Sequence, residues 1–204
     1  MAYSDFTIPD LKGKLGLRVA DAVELHSTVP AYPVPERLAS LAETYFPLAA
    51  LIGTEKAKSE MVVAPILIEV REILKQQISL FSGTELVIDR DRGLNGICDF
   101  ILSKSPVQSY LETPVAVLVE AKNDSIQSGL GQCGAEMVAA RIFNERAKNG
   151  IETIHGCVTT GTLWRFLTLH GDDLTIDRTL YALPEKLSKV LGILVHAVGG
   201  LPTS

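Results

Sequence analysis

The spacing of apolar residues predicts helices in the first third of the chain. Residues 1–36 contain four prolines and little periodicity, so we expect an irregular lead-in there, with or without a short helix. Residues 36–52 (ERLASLAETYFPLAALI) have a helical apolar period, and a second helix is expected from about Thr54 to Gln77. Thr54 precedes a charged first turn, as in a capping box, and Pro65 is expected to kink this helix or divide it.

The period then changes to that of β-strands. Three segments bounded by turn residues predict successive strands: Glu85–Asp89, Gly96–Ser103 and Val115–Ala121. A long helix should follow, with Asp124 or Ser125 as N-cap and Gly150 just beyond its end. Two more strands and a short one are expected at Glu152–Thr159, Leu163–Leu169 and Leu174–Ile176. A final helix should run from Pro184 to about Val198.

This order of elements predicts an α/β fold in one domain of 204 residues. Three successive strands favour an antiparallel meander, and the strand after the long helix can return parallel to its neighbour. The apolar final helix either closes the core or forms the interface of a homodimer. Gly129, Gly131 and Gly134 indicate close packing of the long helix, because they do not follow a strand in a phosphate-binding register.

Composition narrows the functional classes. The formal net charge of −5 argues mildly against a large phosphate-binding surface, which would need clustered lysine and arginine. It leaves nucleic acid open as a substrate, because a carboxylate site that binds a divalent cation is itself acidic. The three cysteines are scattered in apolar or small-residue contexts and are interpreted as buried thiols. With no apolar run of membrane-spanning length and no signal-like start, we expect a cytoplasmic protein with no membrane partner.

The candidate chemistry lies in the second and third predicted strands and the following helix. Asp99 lies inside an apolar strand, where a charge needs a partner or a metal. Glu120 and Lys122 end the most hydrophobic strand and, two residues apart, face the same side. Gln132 and Glu136 follow on the helix. Two carboxylates offer the oxygen ligands that Mg²⁺ prefers, and an ammonium beside them neutralises phosphate charge.

This ordered set resembles the PD-(D/E)XK nuclease superfamily, which has an acidic residue on the second strand, Glu/Asp-x-Lys on the third and often a Gln on the next helix. Asp99, the segment Glu120-Ala121-Lys122, and Gln132 match those three elements, although Cys98 replaces the proline of the family's name. The family often has another Glu on the helix before the sheet, for which Glu60 is the candidate and Glu69 the alternative.

The resemblance covers about residues 55–170 and implies a restriction-endonuclease-like core. On this basis residues 1–53 form an N-terminal extension, 54–170 the nuclease-like core and 171–204 a C-terminal strand and helix. It implies cleavage of phosphodiester bonds in nucleic acid, with DNA favoured over RNA, using Mg²⁺ or Mn²⁺. It implies three metal ligands, Asp99, Glu120 and Glu60, and two further catalytic residues, Lys122 and Gln132.

Simpler interpretations of the same residues remain open. Asp99 can be a solvent-facing strand residue, and Glu120 with Lys122 a surface salt bridge. Gln132 and Glu136, four residues apart, can form a solvated helix face. The alternative function is a catalytically inactive nuclease fold that serves as a binding or interaction module.

Overall fold

A mixed β-sheet forms the centre of the molecule. The computed structural model describes residues 1–22, 24–123 and 125–199. Within them the strands are β1 (Arg18–Ala22), β2 (Ser79–Asp89), β3 (Leu94–Ser103), β4 (Val115–Ala121), β5 (Thr153–Thr159), β6 (Leu163–His170), β7 (Asp173–Asp177) and β8 (Tyr181–Ala182). Seven of them form a path in the order β1-β7-β6-β5-β4-β3-β2, and β8 pairs with β6.

Helices cover both faces of this sheet. They are α1 (Ile8–Leu15), α2 (Glu36–Ile52), α3 (Glu55–Lys58), α4 (Ala64–Ile73), α5 (Ile126–Ala147) and α6 (Leu187–Ala197). One core joins α2, α4 and α6 to one sheet face, and a second core joins α1 and α5 to the other. In the described ranges, no helix combines the length and apolar composition that crossing a bilayer requires. The protein is therefore a three-layer α/β structure.

The strand directions agree with the predicted order. β2, β3 and β4 form an antiparallel meander, and β5 returns parallel to β4 after α5. β4 has the predicted bounds, whereas β2 begins at Ser79, six residues before the predicted start. The extra length of β2 contains Ser82, Gly83 and Thr84, whose polar character concealed the strand.

The prediction of an irregular lead-in was wrong in one respect, whereas α2 has its predicted bounds. Residues 1–36 contain α1 and β1, and β1 adds a parallel strand to β7 at the sheet edge. The second helix begins as predicted, since the Thr54 side chain accepts a hydrogen bond from the Ala57 amide. It then passes through a π-helical segment, Ser59–Val63, directly before Pro65. The π turn shifts the hydrogen-bond pattern where proline has no N–H to donate.

In the second half of the chain, the helix ends differ slightly from their predicted positions. Ser125 caps α5 by accepting from the Gln127 amide, whereas Asp124 lies outside the described residues. The left-handed residue that ends α5 is Lys148 rather than Gly150. α6 begins at Leu187 rather than at Pro184, because Leu183 and Pro184 still belong to the turn after β8.

The apolar side of α6 is buried in the core of the same chain. The six apolar residues of the predicted final helix are all buried: Leu187, Val190, Leu191, Ile193, Leu194 and Val195. This confirms that the helix closes the core. Trp164 and Phe166 on β6 are buried as well, and the three cysteines are buried free thiols as predicted.

Close packing of α5 depends on its glycines. A Cβ atom on Gly131 would overlap the carbonyl oxygen of Phe6, and one on Gly134 would overlap the Leu11 side chain. The prediction of close packing is confirmed, but Gly131 accommodates the N-terminal segment, Gly134 faces both that segment and Leu174 on β7, and Gly129 faces Val158 on β5. The N-terminal segment is thus part of the core beneath α5.

Candidate active site

Asp99 and Glu120 lie opposite each other on neighbouring strands. β3 and β4 are antiparallel, with Phe100 opposite Val119, and continuing this register places Asp99 opposite Glu120 on one face of the sheet. Asp99 Oδ2 accepts a hydrogen bond of 2.8 Å from the Ala121 amide, which holds its carboxylate against the end of β4. The two carboxylates converge as the strand order predicted.

Lys122 completes a three-residue arrangement. Its Nζ atom lies 2.5 Å from Glu120 Oε1, so the two side chains share a face as their spacing predicted. Glu120 is only 1% exposed, whereas the Lys122 side chain is 22% exposed. The pair therefore differs from a surface salt bridge, because one partner lies in the protein interior.

Gln132 and Glu136 support Lys122 from α5. Gln132 Oε1 accepts a hydrogen bond of 3.0 Å from Lys122 Nζ, and Gln132 Nε2 donates one of 3.1 Å to Glu136 Oε1. Both residues are buried, so the interpretation as a solvated helix face is wrong. Because Glu136 accepts from the amide nitrogen, the carbonyl end of Gln132 faces the ammonium.

Burial and mutual repulsion control ionisation in this cluster. Burial, followed by the nearby Asp99 charge, raises the pKa of Glu120 to about 7, although Lys122 opposes the rise. Burial and the Glu120 charge raise the pKa of Glu136 well above its ordinary value. For Lys122, burial lowers the pKa, but the Glu120, Asp99 and Glu55 carboxylates together outweigh burial and the net direction is upward. Lys122 is therefore an ammonium at neutral pH.

Two buried carboxylate oxygens lack a donor. Among the described residues, neither Glu120 Oε2 nor Glu136 Oε2 has a hydrogen-bond partner. A buried acceptor without a partner is costly, and such atoms commonly mark sites of ions, water or catalysis. Glu120 also forms a carboxyl–carboxyl hydrogen bond with Glu136 when one of them is protonated, so either a shared proton or a hard cation such as Mg²⁺, which commonly binds one or two carboxylates and keeps several waters, would satisfy these oxygens.

A cleft of about 260 Å³ opens beside Asp99. It is lined by Glu55, Lys56, Ser59, Glu60, Ser82, Asp99 and Ala121. Glu60 thus shares a cleft with Asp99, but its side chain is 61% exposed and lies 3.6 Å from Lys56. Glu69 is buried and pairs with Arg37 at 2.9 Å, so of the two candidates only Glu60 lines this cleft.

The carboxylates are not gathered into a larger ligand set. In the described ranges, no group of three or more His, Cys, Asp or Glu side chains is arranged to hold a metal ion. Asp99 and Glu120 provide two carboxylates, and Glu60 stands apart at the cleft rim. A two-carboxylate site is compatible with Mg²⁺, since water and substrate phosphate occupy its remaining positions.

Sequence reasoning missed three residues near this centre. Lys58 Nζ donates to the backbone oxygen of Asn123 at 2.8 Å and to its side-chain oxygen at 3.2 Å, which ties α3 to the end of β4. Glu55 lines the Asp99 cleft, and its charge contributes to the raised pKa of Lys122. Lys58 and Glu55 lie in the charged first turn of α3. Their contacts are with residues distant in sequence, so no local pattern identified them.

Comparison with known proteins adds no family assignment. No family model matches the chain, and neither the curated proteins nor the solved structures contain a match to it.

Proposed function

We propose that this protein is a metal-dependent nuclease that hydrolyses phosphodiester bonds with Mg²⁺ or Mn²⁺. The observation that supports the proposal best is the convergence of Asp99, Glu120 and Lys122 at the end of two neighbouring strands. A helix, an antiparallel meander, a second helix and a parallel strand surround this cluster, as in a restriction-endonuclease-like core. Buried carboxylates beside an ammonium favour the same chemistry without that likeness.

Each residue has a distinct role in this proposal. Asp99 and Glu120 hold the cation, with Glu60 available from the cleft rim. When bound, Mg²⁺ lowers the pKa of water and stabilises negative charge on phosphate oxygens. Lys122 contributes an ammonium that orients the attacking water and neutralises charge on the phosphate. Gln132 is a positioning residue, since its carbonyl fixes the ammonium through a 3.0 Å hydrogen bond.

The proposal includes a cytoplasmic location and nucleic acid as the partner, with DNA ahead of RNA. Three buried free thiols support a reducing compartment. The acidic net charge supports a limited contact with the substrate rather than an extended phosphate-binding surface.

The test is cleavage of labelled DNA and RNA, single-stranded and double-stranded, by the full chain with Mg²⁺, with Mn²⁺ and with EDTA. We expect cleavage only with metal, and a loss of about 10²–10⁴-fold in Lys122→Ala. Arg92→Ala is the matched control, because it removes an exposed cation in the β2–β3 turn and should cleave at the wild-type rate.

Three results would contradict the proposal. Cleavage that persists in EDTA excludes the metal, and wild-type cleavage by Lys122→Ala excludes the role of the ammonium. Binding of nucleic acid without cleavage of any substrate under any metal condition would establish the alternative, an inactive binding module with the nuclease fold.

A further inference from the structure

A second cleft, of about 320 Å³, lies on the other side of α3 from the Asp99 cleft. Its lining consists of Lys58, Asn123, Ser125, Ile126, Gln127, Thr160, Leu163, Arg165 and Leu180. It adjoins the candidate active site directly, since Asn123 follows Lys122 in the chain. Thr160 likewise follows Thr159, whose backbone oxygen accepts a 2.8 Å hydrogen bond from the Lys122 amide.

The cleft contains two cations that neutral groups hold in place. Lys58 is bonded to Asn123, and Arg165 Nη1 donates to Gln127 Oε1 at 3.3 Å. Among the described residues, neither cation lies within ion-pair distance of a carboxylate, and Arg165 Nε is buried without a hydrogen-bond partner. In contrast, Lys122 Nζ lies 2.5 Å from the Glu120 carboxylate. Within the described ranges, therefore, no carboxylate competes with an anion for Lys58 or Arg165.

The same cleft has an apolar side. Leu163 is 37% exposed and Leu180 is 44% exposed, so both contribute apolar surface to the lining. Ser125, Thr160 and Gln127 add hydroxyl and amide groups to the same lining. A ligand that matches this lining has an anionic group, several hydrogen-bonding groups and a flat apolar face.

We propose that this cleft binds one nucleotide of the substrate strand, next to the phosphate that is cleaved. Lys58 and Arg165 contact its phosphate, while Leu163 and Leu180 pack against its sugar and base. The inference rests on the proposed function and deepens it, because it assigns the direction in which the strand leaves the active site. The strand passes over α3 toward β6, while Glu55 and Lys56 of α3 line the Asp99 cleft.

The test is the salt dependence of binding for a fluorescent single-stranded oligonucleotide, measured by anisotropy in EDTA so that cleavage does not interfere. Removing one phosphate contact from a single strand should reduce the slope of log affinity against log salt by about 0.7. We expect this reduction in Arg165→Gln, with an affinity loss of about tenfold at moderate salt. Arg165→Lys keeps the charge and should retain most of the slope.

Lys58→Gln is a second variant, for the case in which the change at Arg165 disturbs β6. We expect it to reduce the salt-dependence slope by a similar amount. Arg92→Gln, at the opposite end of the sheet path, removes the same charge and should leave the slope unchanged. If both cleft variants fold and match Arg92→Gln, the cleft does not contact the strand. A nucleoside monophosphate that binds as tightly as the oligonucleotide would also overturn the proposal, because the cleft would then accept a free nucleotide.

These results separate the cleft from the chemistry. If the wild-type protein cleaves nucleic acid and the cleft variants bind the oligonucleotide as the wild type does, the cleft proposal is rejected and the nuclease proposal stands. Weakened binding in the cleft variants, without cleavage by wild type, supports the cleft and rejects the nuclease.

Discussion

Replacing Glu120 by Gln should stabilise the metal-free protein at alkaline pH and leave its stability unchanged at acid pH. Burial raises the folded-state pKa of Glu120 from 4.5 to about 7, so the folded protein favours the protonated side chain. Stability from this group is fully present below pH 4.5 and is lost as the pH rises through about 7. Glu120→Gln stays neutral at every pH and therefore escapes the loss.

The expected difference is large for a protein of this size. A rise in pKa from 4.5 to about 7 corresponds to about 3 kcal/mol, at about 1.4 kcal/mol for each factor of ten. For a chain of 204 residues, this equals a difference in melting temperature of roughly 6–12 °C above pH 7. The pKa already includes attraction by Lys122, so no separate penalty for the lost ion pair applies.

The assay is urea unfolding of both proteins in EDTA between about pH 4.5 and 8.5. Burial lowers the pKa of His26 and of His155 to about 4, so both histidines make stability rise with pH between about 4 and 6.5. The two histidines contribute equally to the stability of both proteins. Their contribution therefore cancels when one profile of stability against pH is subtracted from the other. A difference that stays constant across this pH range would refute the assignment of a buried, repelled carboxylate to Glu120.

Three other changes test the site and its support. Mg²⁺ at about ten times Kd should stabilise the wild type by about 1.4 kcal/mol in a melting experiment, and Asp99→Ala should abolish this response. Glu136→Gln lets the Gln132 amide turn its nitrogen toward Lys122, so kcat should fall by about tenfold with KM unchanged. If Glu136 has only a structural role, kcat should stay at the wild-type value. Gly131→Ala should cost about 2–4 kcal/mol in urea unfolding because its Cβ overlaps Phe6, whereas Gly13→Ala, where the space is open, should gain up to about 1 kcal/mol.

The convergence of the central residues followed from local rules. Alternation along β4 placed Glu120 and Lys122 on one face, and a meander of successive strands made β3 the neighbour of β4. An acidic residue in the apolar run around Asp99 then indicated a carboxylate that has a partner or binds a metal. Each of these steps needs only the sequence within a strand and the order of strands.

The remaining features depend on contacts between distant segments. β1 has the sequence RVADA, which lacks a clear apolar alternation, and its strand conformation comes from pairing with β7. The support of Lys122 by Gln132 and Glu136 requires the rotation of α5 on the sheet, which the weak apolar period of its small residues leaves undefined. Lys58 reaches the site from α3. Its sequence neighbours do not indicate that this helix lies against the end of β4.

The pairing of β1 with β7 also constrains the order of events during translation. Arg18 pairs with Asp173, and Ala22 with Asp177, so about 150 residues separate the two strands along the chain. At a synthesis rate of roughly 5–20 residues per second, the N-terminal strand waits about 8–30 s for its partner to leave the ribosome. During that interval Phe6 and Leu11 also lack the groove on α5 that Gly131 and Gly134 later provide. The segment from Phe6 to Ala22 consequently stays without its native partners until α5 and β7 have been synthesised.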